Sequence, residues 1–189
     1  MAEATSLVGG RHIVIVGVMG AGKSTVGRPL ACALGVRFVD NDEQLRAQSG
    51  RTARDYQREH GRDALHVIEL DALRDALGDS RPSVITAAAS VADTAAGRAL
   101  LAATNVVWIV VDPRRETQRS SGGGRHRPDP ATDAGVEDER RSRAYRALAS
   151  VAVPDRRPIE TTVAWLARWA ECDVLPSAAD QVAAVDDRH

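Results

Sequence analysis

Gly17-Val18-Met19-Gly20-Ala21-Gly22-Lys23-Ser24 is the stretch of sequence that decides the fold. Its spacing, G-x-x-x-x-G-K-[ST], is that of a phosphate-binding loop, whose backbone N–H groups turn inward around an anion. Glycines permit the unusual dihedral angles and let phosphate oxygens approach the main chain. In such a loop the lysine, Lys23, reaches the β- and γ-phosphates, and the hydroxyl of Ser24 holds Mg²⁺. The stretch therefore predicts a nucleoside triphosphate site.

The flanks of this loop supply the structural context that a short pattern needs. Ile13-Val14-Ile15-Val16 precedes it and is typical of a buried parallel strand. Residues 24–34 follow with apolar residues at helical spacing and end at Gly35. A strand, a glycine loop and a helix in this order bring a helix N-terminus to a phosphate. The alternative is a glycine-rich turn that matches the pattern by chance, and the flanking strand and helix argue against it.

Length and composition exclude several classes of protein. With 189 residues the chain predicts one domain that buries a sizeable core. The net charge of −1 gives no sign of nonspecific nucleic-acid binding, and there is no apolar run long enough to span a membrane. Cys32 and Cys172 form neither a disulfide framework nor a metal cluster, and Cys32 is expected to pack as a small apolar residue. We expect a cytoplasmic protein without nucleic-acid or membrane partners, and nothing in the sequence requires more than a monomer.

Strands and helices alternate along the rest of the chain. Further strands are predicted at residues 36–39, 83–86, 106–111 and 150–153, with helices at 43–49, 52–60, 62–77, 94–103, 134–149 and from Pro158 onward. The fully apolar run at 106–111 is expected at the centre of the sheet. The pattern predicts an α/β fold, a parallel sheet of about five strands with helices on both faces. Residues 1–170 are expected to form a single domain and residues 171–189 a weakly structured tail.

Taken together, these residues resemble the shikimate kinases, small P-loop kinases of the nucleoside-monophosphate-kinase type. The likeness covers roughly residues 12–170 and is densest in the first seventy. It is carried by the run from Val18 to Arg28 and then by Leu30-Ala31, Leu34-Gly35, Phe38, Asp40-Asn41-Asp42, Gly50, Thr52, Gly61 and Glu69. The resemblance implies a P-loop NTPase fold, the cofactors ATP and Mg²⁺, and transfer of the γ-phosphoryl group to a hydroxyl of shikimate in aromatic amino-acid biosynthesis.

The resemblance also implies which residues bind the nucleotide. Arg119 matches an arginine that lies against the adenine, and Arg127 of the pair Arg127-Pro128 matches an arginine that reaches the transferring phosphate. Both lie in a Gly-, Pro- and Arg-rich segment, about 114–134, that is expected to act as a mobile lid and to exclude water on closing. The nucleotide-binding set so implied is Gly20, Ala21, Gly22, Lys23, Ser24, Thr25, Arg119 and Arg127, with Lys23, Asp42 and Arg127 as the catalytic residues.

Two aspartates follow the second predicted strand, at the edge where open α/β sheets bind ligands. By resemblance, Asp40 joins Ser24 in holding Mg²⁺ and its water shell, while Asp42 orients the acceptor hydroxyl and takes its proton. A hydroxyl nucleophile needs a carboxylate within hydrogen-bond reach, which agrees with this assignment. The alternative is a solvated turn at a strand end, where Asp-Asn-Asp is common.

The acceptor site departs from the family pattern at two of three places. His66 stands where the family has an arginine that grips the substrate carboxylate, and Ala87-Ala88-Ala89 replaces three glycines whose N–H groups touch the substrate, Ala88 among them. Alanine retains the N–H group but disfavours positive φ and adds methyl groups. Arg141 matches the second carboxylate-gripping arginine. His66 is otherwise a helix-surface histidine, and Arg141 otherwise belongs to a solvated face of alternating charges.

Three functions remain open on this evidence. The first is phosphorylation of shikimate or a closely related small cyclic polyol. The second is a related kinase that retains the ATP half of the site and phosphorylates a different small hydroxyl compound. The third is a catalytically silent ATP-binding module that acts through a partner, against which Lys23, Ser24, Asp40, Asp42 and Arg127 argue.

Overall fold

A five-stranded, wholly parallel sheet forms the centre of the protein in the computed structural model, which describes residues 11–111, 133–155 and 157–171. The strands lie in the order β2-β3-β1-β4-β5. They are β1 (Ile13–Val16), β2 (Arg37–Asp40), β3 (Ser83–Thr86), β4 (Asn105–Val110) and β5 (Val151–Pro154). The prediction of a parallel sheet of about five strands is confirmed. The apolar run at 106–111 forms β4, which is an interior strand, but the central position belongs to β1.

Helices cover both faces of this sheet, as the sequence predicts. They are α1 (Lys23–Ala33), α2 (Asn41–Ser49), α3 (Ala53–His60), α4 (Arg62–Leu77), α5 (Ala95–Ala102), α6 (Asp133–Leu148) and α7 (Ile159–Glu171). A 3₁₀ helix, Ala89–Asp93, follows β3 and was not predicted. The other helices begin and end within about two residues of their predicted bounds.

The two faces carry separate apolar cores because successive strand residues point to opposite sides. Ile13 and Ile15 of β1 point toward α1 and α7, and Val14 and Val16 point toward α4, α5 and α6. On the first side Leu30, Leu34, Leu166 and Trp169 complete the core, and on the second side Leu73, Leu101 and Tyr145 do so. Two buried faces explain why the β1 and β4 sequences are continuous apolar runs without alternation.

Gly97 and Cys32 show how closely the helices pack and which of their sides are buried. Gly97 in α5 lies against the 3₁₀ helix so closely that a Cβ atom there would come within 1.9 Å of the carbonyl oxygen of Val91. Cys32 is exposed on α1, so the expectation that it packs as a small apolar residue is wrong. The apolar stripe of α1 runs through Val26, Leu30 and Leu34 and leaves Cys32 on the solvent side. No helix in the described ranges is long and apolar enough to cross a membrane.

Candidate active site

The phosphate-binding loop lies at the carboxyl end of β1 and leads directly into α1. Gly20 and Gly22 have φ values of +76° and +89°, in the left-handed region that favours glycine, and Gly22 is the N-cap of α1. No side chain caps this helix, so its first N–H groups are available to an anion. Between the two glycines Ala21 is buried, and its N–H donates to the carbonyl oxygen of Val18 across 3.2 Å. The local geometry is therefore that of a preformed anion cradle.

Lys23 folds back over this loop. Its Nζ donates to the carbonyl oxygens of Gly17 and Val18 at 3.0 and 3.2 Å. Burial lowers the pKa of Lys23, and the nearby carboxylates of Asp42 and Asp40 act in the opposite direction. The ammonium group is thus held over the cradle by weak carbonyl partners that phosphate oxygens can replace.

The two predicted aspartates have different environments. Asp40 is buried, accepts a hydrogen bond from the Oγ of Ser24 at 2.6 Å, and caps α2 by accepting from the N–H of Asp42 at 3.0 Å. Asp42 is exposed, with its pKa raised by partial desolvation and by Asp40, and lowered by Lys23. Lys23, Asp40 and Asp42 therefore interact electrostatically at one edge of the sheet. Thr25, also named from the sequence, lies exposed on the first turn of α1.

The Ser24 and Asp40 pair supplies oxygen ligands, the type that Mg²⁺ prefers. Mg²⁺ is commonly held by only one or two protein groups, with substrate phosphates and waters completing its shell. Over the part of the chain that the structure describes, no group of three or more His, Cys, Asp or Glu side chains is placed to hold a metal ion. The donor set therefore fits a nucleotide-bound Mg²⁺ and offers no separate metal centre.

Glu69, named from the sequence only as part of the family likeness and not as a site residue, is a buried acid that interacts with Asp42 and Arg141. Glu69 is 6% exposed on α4 and accepts a hydrogen bond from the hydroxyl of Ser90 in the 3₁₀ helix. Burial raises the pKa of Glu69, Ser90 and Arg141 lower it, and Asp42 raises it further. The sequence contains a signal for this buried acid, because Glu69 continues the apolar stripe of Leu65 and Leu73 at four-residue spacing. A charged residue within a buried stripe is a candidate functional residue.

The alanine triplet adopts ordinary backbone geometry. Of the described residues, none other than glycine has a positive φ, and Ala88 is extended, with φ −61° and ψ 147°. Ala88 is 9% exposed, and the carbonyl oxygen of Ala89 accepts a hydrogen bond from the fully buried hydroxyl of Tyr145 at 2.7 Å. The cost expected for alanine at a positive φ therefore does not arise, and only the added methyl groups distinguish these positions from glycine.

His66 and Arg141 lie in one group of charged side chains. Arg141 makes a two-pronged ion pair with Asp93, in which Nη2 and Oδ2 are 2.7 Å apart and Nε is 3.1 Å from Oδ1. Burial opposes the charge of Arg141, but the bond to Asp93 raises its pKa above the usual range. His66 is half-buried, and its pKa is lowered by burial first and then by Arg62. The structure thus brings both predicted residues together but gives Arg141 a carboxylate partner within the chain.

Two charged residues of α6 are largely buried, which corrects the interpretation of this helix as a solvated face. Arg141 has 12% of its side-chain surface exposed, and Asp138 is buried at 4%. The alternative of a solvated helix face is therefore wrong for these two residues. Arg119, Arg127 and most of the predicted lid, 114–134, lie outside the described residues, as does the predicted tail from residue 172 onward.

Comparison with known proteins gives one consistent result. The sequence model of the shikimate kinase family matches residues 19–166. The shikimate kinase of Symbiobacterium thermophilum is 32% identical over 160 residues, which are 81% of this chain and 92% of that protein. More than three quarters of the chain therefore aligns with that family.

Solved structures agree on the fold. The shikimate kinase of Bacteroides thetaiotaomicron superimposes with a TM-score of 0.70 at 23% identity, covering 86% of this chain and 99% of that one. The shikimate kinase of Acinetobacter baumannii, determined with shikimate, gives a TM-score of 0.68 at 23% identity and covers 84% and 91%. The predicted P-loop kinase fold is confirmed.

Proposed function

The chain belongs to the shikimate kinase family, and we propose that it transfers the γ-phosphoryl group of ATP to a hydroxyl group of shikimate. The observation that carries this proposal is the grouping of Lys23, Ser24, Asp40 and Asp42 around the phosphate-binding loop. Phosphoryl transfer depends mainly on positioning and on neutralising charge, and this grouping supplies a cation, a metal-binding pair and a carboxylate for that purpose.

The nucleotide would lie on the loop from Gly20 to Thr25. In this arrangement Lys23 exchanges its bonds to the carbonyls of Gly17 and Val18 for bonds to phosphate oxygens. Ser24 and Asp40 would hold Mg²⁺, which supplies charge neutralisation at the phosphates when bound. Arg119 and Arg127, which are assigned from the sequence alone, complete the proposed set of nucleotide-binding residues.

Asp42 is the proposed base for the acceptor hydroxyl. Its raised pKa makes it a stronger proton acceptor than an ordinary aspartate, and its exposure leaves it open to the acceptor. Asp40 is unsuited to this role because its two oxygens already accept from Ser24 and from the N–H of Asp42. Ala88 and Arg141 are the proposed acceptor contacts, with His66 beside Arg141, and the buried Glu69 contributes to the same site through its hydrogen bond with Ser90.

The test is ATP consumption against a panel of cyclic polyols with and without a carboxylate. We expect ADP formation with shikimate to exceed that with carboxylate-free polyols. A preference for the carboxylate-free compounds would favour the related kinase with a different acceptor, and ATP binding without transfer to any of them would favour the silent module. A cytoplasmic monomer without nucleic-acid or membrane partners stays a prediction from the sequence.

A further inference from the structure

Two guanidinium groups converge on one carboxylate beside the proposed acceptor site. The Oε1 of Glu137 on α6 is 2.6 Å from the Nη1 of Arg62 on α4, and its Oε2 is 3.7 Å from the Nη2 of Arg141. Hydrogen bonding to Arg62 lowers the pKa of Glu137, with a further contribution from Arg141. A single carboxylate is thus held between two cations that come from different helices.

Arg62 precedes His66 by one helical turn, so both side chains project from the same face of α4. The Nε of Arg62 lies 3.5 Å from the Nε2 of His66, which places a guanidinium donor against the imidazole. With its pKa lowered by burial and by Arg62, His66 is a poor site for a positive charge. Of these two residues of α4, Arg62 is therefore the one that carries the positive charge.

The members of this group differ in how firmly they are held. Arg141 and Asp93 have side-chain exposures of 12% and 15%, and their two-pronged pair, at 2.7 and 3.1 Å, holds the guanidinium more closely than Glu137 does at 3.7 Å. Arg62 and Glu137 are 46% and 33% exposed. Ion pairs as exposed as this one contribute little stability, so Glu137 can leave for solvent at small cost while Arg141 stays in place.

We propose that Arg62 and Arg141 form the clamp for the carboxylate of the acceptor, and that Glu137 is an internal carboxylate which the acceptor displaces. This inference rests on the proposed function. The exchange replaces one carboxylate by another, so the net charge beside Asp93 and Arg141 does not change. A carboxylate that entered without displacing Glu137 would instead add a negative charge to a group that already contains Asp93, Glu137 and the buried Asp138. Arg62 is a specificity-determining residue in this scheme, and His66 positions it.

The first test compares Arg62→Ala with a matched control, Arg74→Ala. Arg74 lies on the same helix, has a side-chain exposure of 49%, and pairs with Asp71 at 2.6 Å, so it reproduces the surroundings of Arg62 away from the site. Steady-state rates are measured with shikimate and with its methyl ester, which lacks the charge; an ester that is not turned over is measured as a competitive inhibitor. Arg62→Ala should raise KM for shikimate about tenfold or more and leave KM for ATP and the constant for the ester within about twofold. Arg74→Ala should change none of them.

The second test removes the internal competitor. Glu137→Gln keeps the shape of the side chain and removes its charge, so KM for shikimate should fall severalfold while the constant for the ester stays the same. Glu139→Gln is the control, since Glu139 lies on the same helix and pairs with Arg143 in an exposed position. Thermal unfolding of every variant checks that the fold is retained.

The outcomes separate this inference from the proposed function. If wild-type protein phosphorylates shikimate and Arg62→Ala behaves like Arg74→Ala, the clamp is wrong and Arg62 only links two helices. Equal losses for shikimate and its ester would assign Arg62 a general structural role and also overturn the clamp. A rise in KM for shikimate in Glu137→Gln would show that Glu137 supports binding and does not compete with it. Wild-type protein that neither binds nor phosphorylates shikimate would overturn the proposed function itself.

Discussion

The nucleotide half of the site, Gly17 to Thr25 with Asp40, and the acceptor half, around Arg62, His66 and Arg141, are built by different means. In the nucleotide half, backbone N–H groups, glycine conformations and one lysine come from a single short run of sequence. In the acceptor half, side chains from α4, the 3₁₀ helix and α6 neutralise one another's charges. The nucleotide half presents N–H groups and an ammonium group to an incoming anion. The acceptor half already contains the carboxylates of Asp93 and Glu137, which pair with Arg141.

The largest expected effect tests the nucleotide half. Lys23→Ala should reduce phosphoryl transfer by roughly 10³-fold or more, because the ammonium group is the proposed cation at the transferring phosphate. The fold should persist, since Lys23 donates to loop carbonyls and belongs to neither of the two apolar cores. Arg28→Ala is the control, because Arg28 lies on the same helix as Lys23 and its exposed guanidinium pairs with Glu43 of α2. Near wild-type turnover in Lys23→Ala would contradict the kinase proposal.

Lys23 is also the single lysine in the sequence, which gives a second measurement of the same residue. Amine acylation followed by peptide mass analysis therefore reports on Lys23 and the chain N-terminus alone. ATP with Mg²⁺ should protect Lys23 and leave the N-terminus reactive. Labelling of Lys23 that ATP does not change would place the nucleotide elsewhere.

The next effect tests the junction between the two halves. Asp42→Asn should lower kcat by about a hundredfold, at the lower end of what general bases contribute, since phosphoryl transfer depends mainly on positioning. KM for ATP should change little, because the loop does not need this carboxylate. The neighbouring Glu43→Gln is the control, and Asp42→Asn with full kcat would make Asp42 an exposed residue of the first turn of α2 without a catalytic role.

Sequence reasoning succeeded where structure is determined locally. The loop, β1 and α1 follow from glycine spacing and apolar runs, and Thr52, where the helix predicted over 52–60 begins, is an N-cap that accepts from the N–H of Asp55. A short run of residues encodes each of these features. The prediction for Cys32 failed because α1 buries only one stripe, and a residue two positions past Leu30 falls outside it.

Family resemblance names Ala88, His66 and Arg141 in the acceptor half, but the contacts that these residues make escaped prediction because they join distant segments. Arg141 and Asp93 are 48 residues apart, and no local pattern pairs them. On α6 the inward face is formed by Asp138, Arg141 and Tyr145, at helical spacing, but two of the three are charged. Hydrophobic periodicity therefore predicts, wrongly, that this face of α6 is exposed to solvent. Burial of charges marks the candidate acceptor site here, and it is visible only in the folded chain.

A smaller effect tests how the acceptor half is anchored. Tyr145→Phe removes the hydroxyl that donates to the carbonyl oxygen of Ala89 at 2.7 Å and leaves that carbonyl without this partner. We expect a loss of about 1–3 kcal/mol in the free energy of unfolding, measured by urea denaturation. KM for shikimate should rise less than about tenfold, and KM for ATP should not change. Tyr56→Phe, at a half-buried position beside His60, should alter stability by less than about 0.5 kcal/mol.

The smallest effect concerns His66, where the family's arginine would lie. Because burial and Arg62 lower its pKa, the folded protein takes up a proton at His66 less readily than the unfolded chain does. The unfolded chain begins to protonate near the ordinary histidine pKa of about 6.5. Stability should therefore fall as the pH drops below that value, since protons bind preferentially to the unfolded state.

His66→Gln removes this titration and keeps a side chain that can accept a hydrogen bond from Arg62. The urea midpoints of wild type and His66→Gln should be similar at pH 7.5 and should separate as the pH falls to 5.5, with the wild type lower. KM for shikimate at pH 7.5 should change by less than about threefold, because His66 is neutral there and Arg62 carries the charge. If instead shikimate affinity of the wild type rises steeply as the pH falls over this range and His66→Gln abolishes the rise, His66 itself binds the carboxylate as an imidazolium, in the position where the family has an arginine.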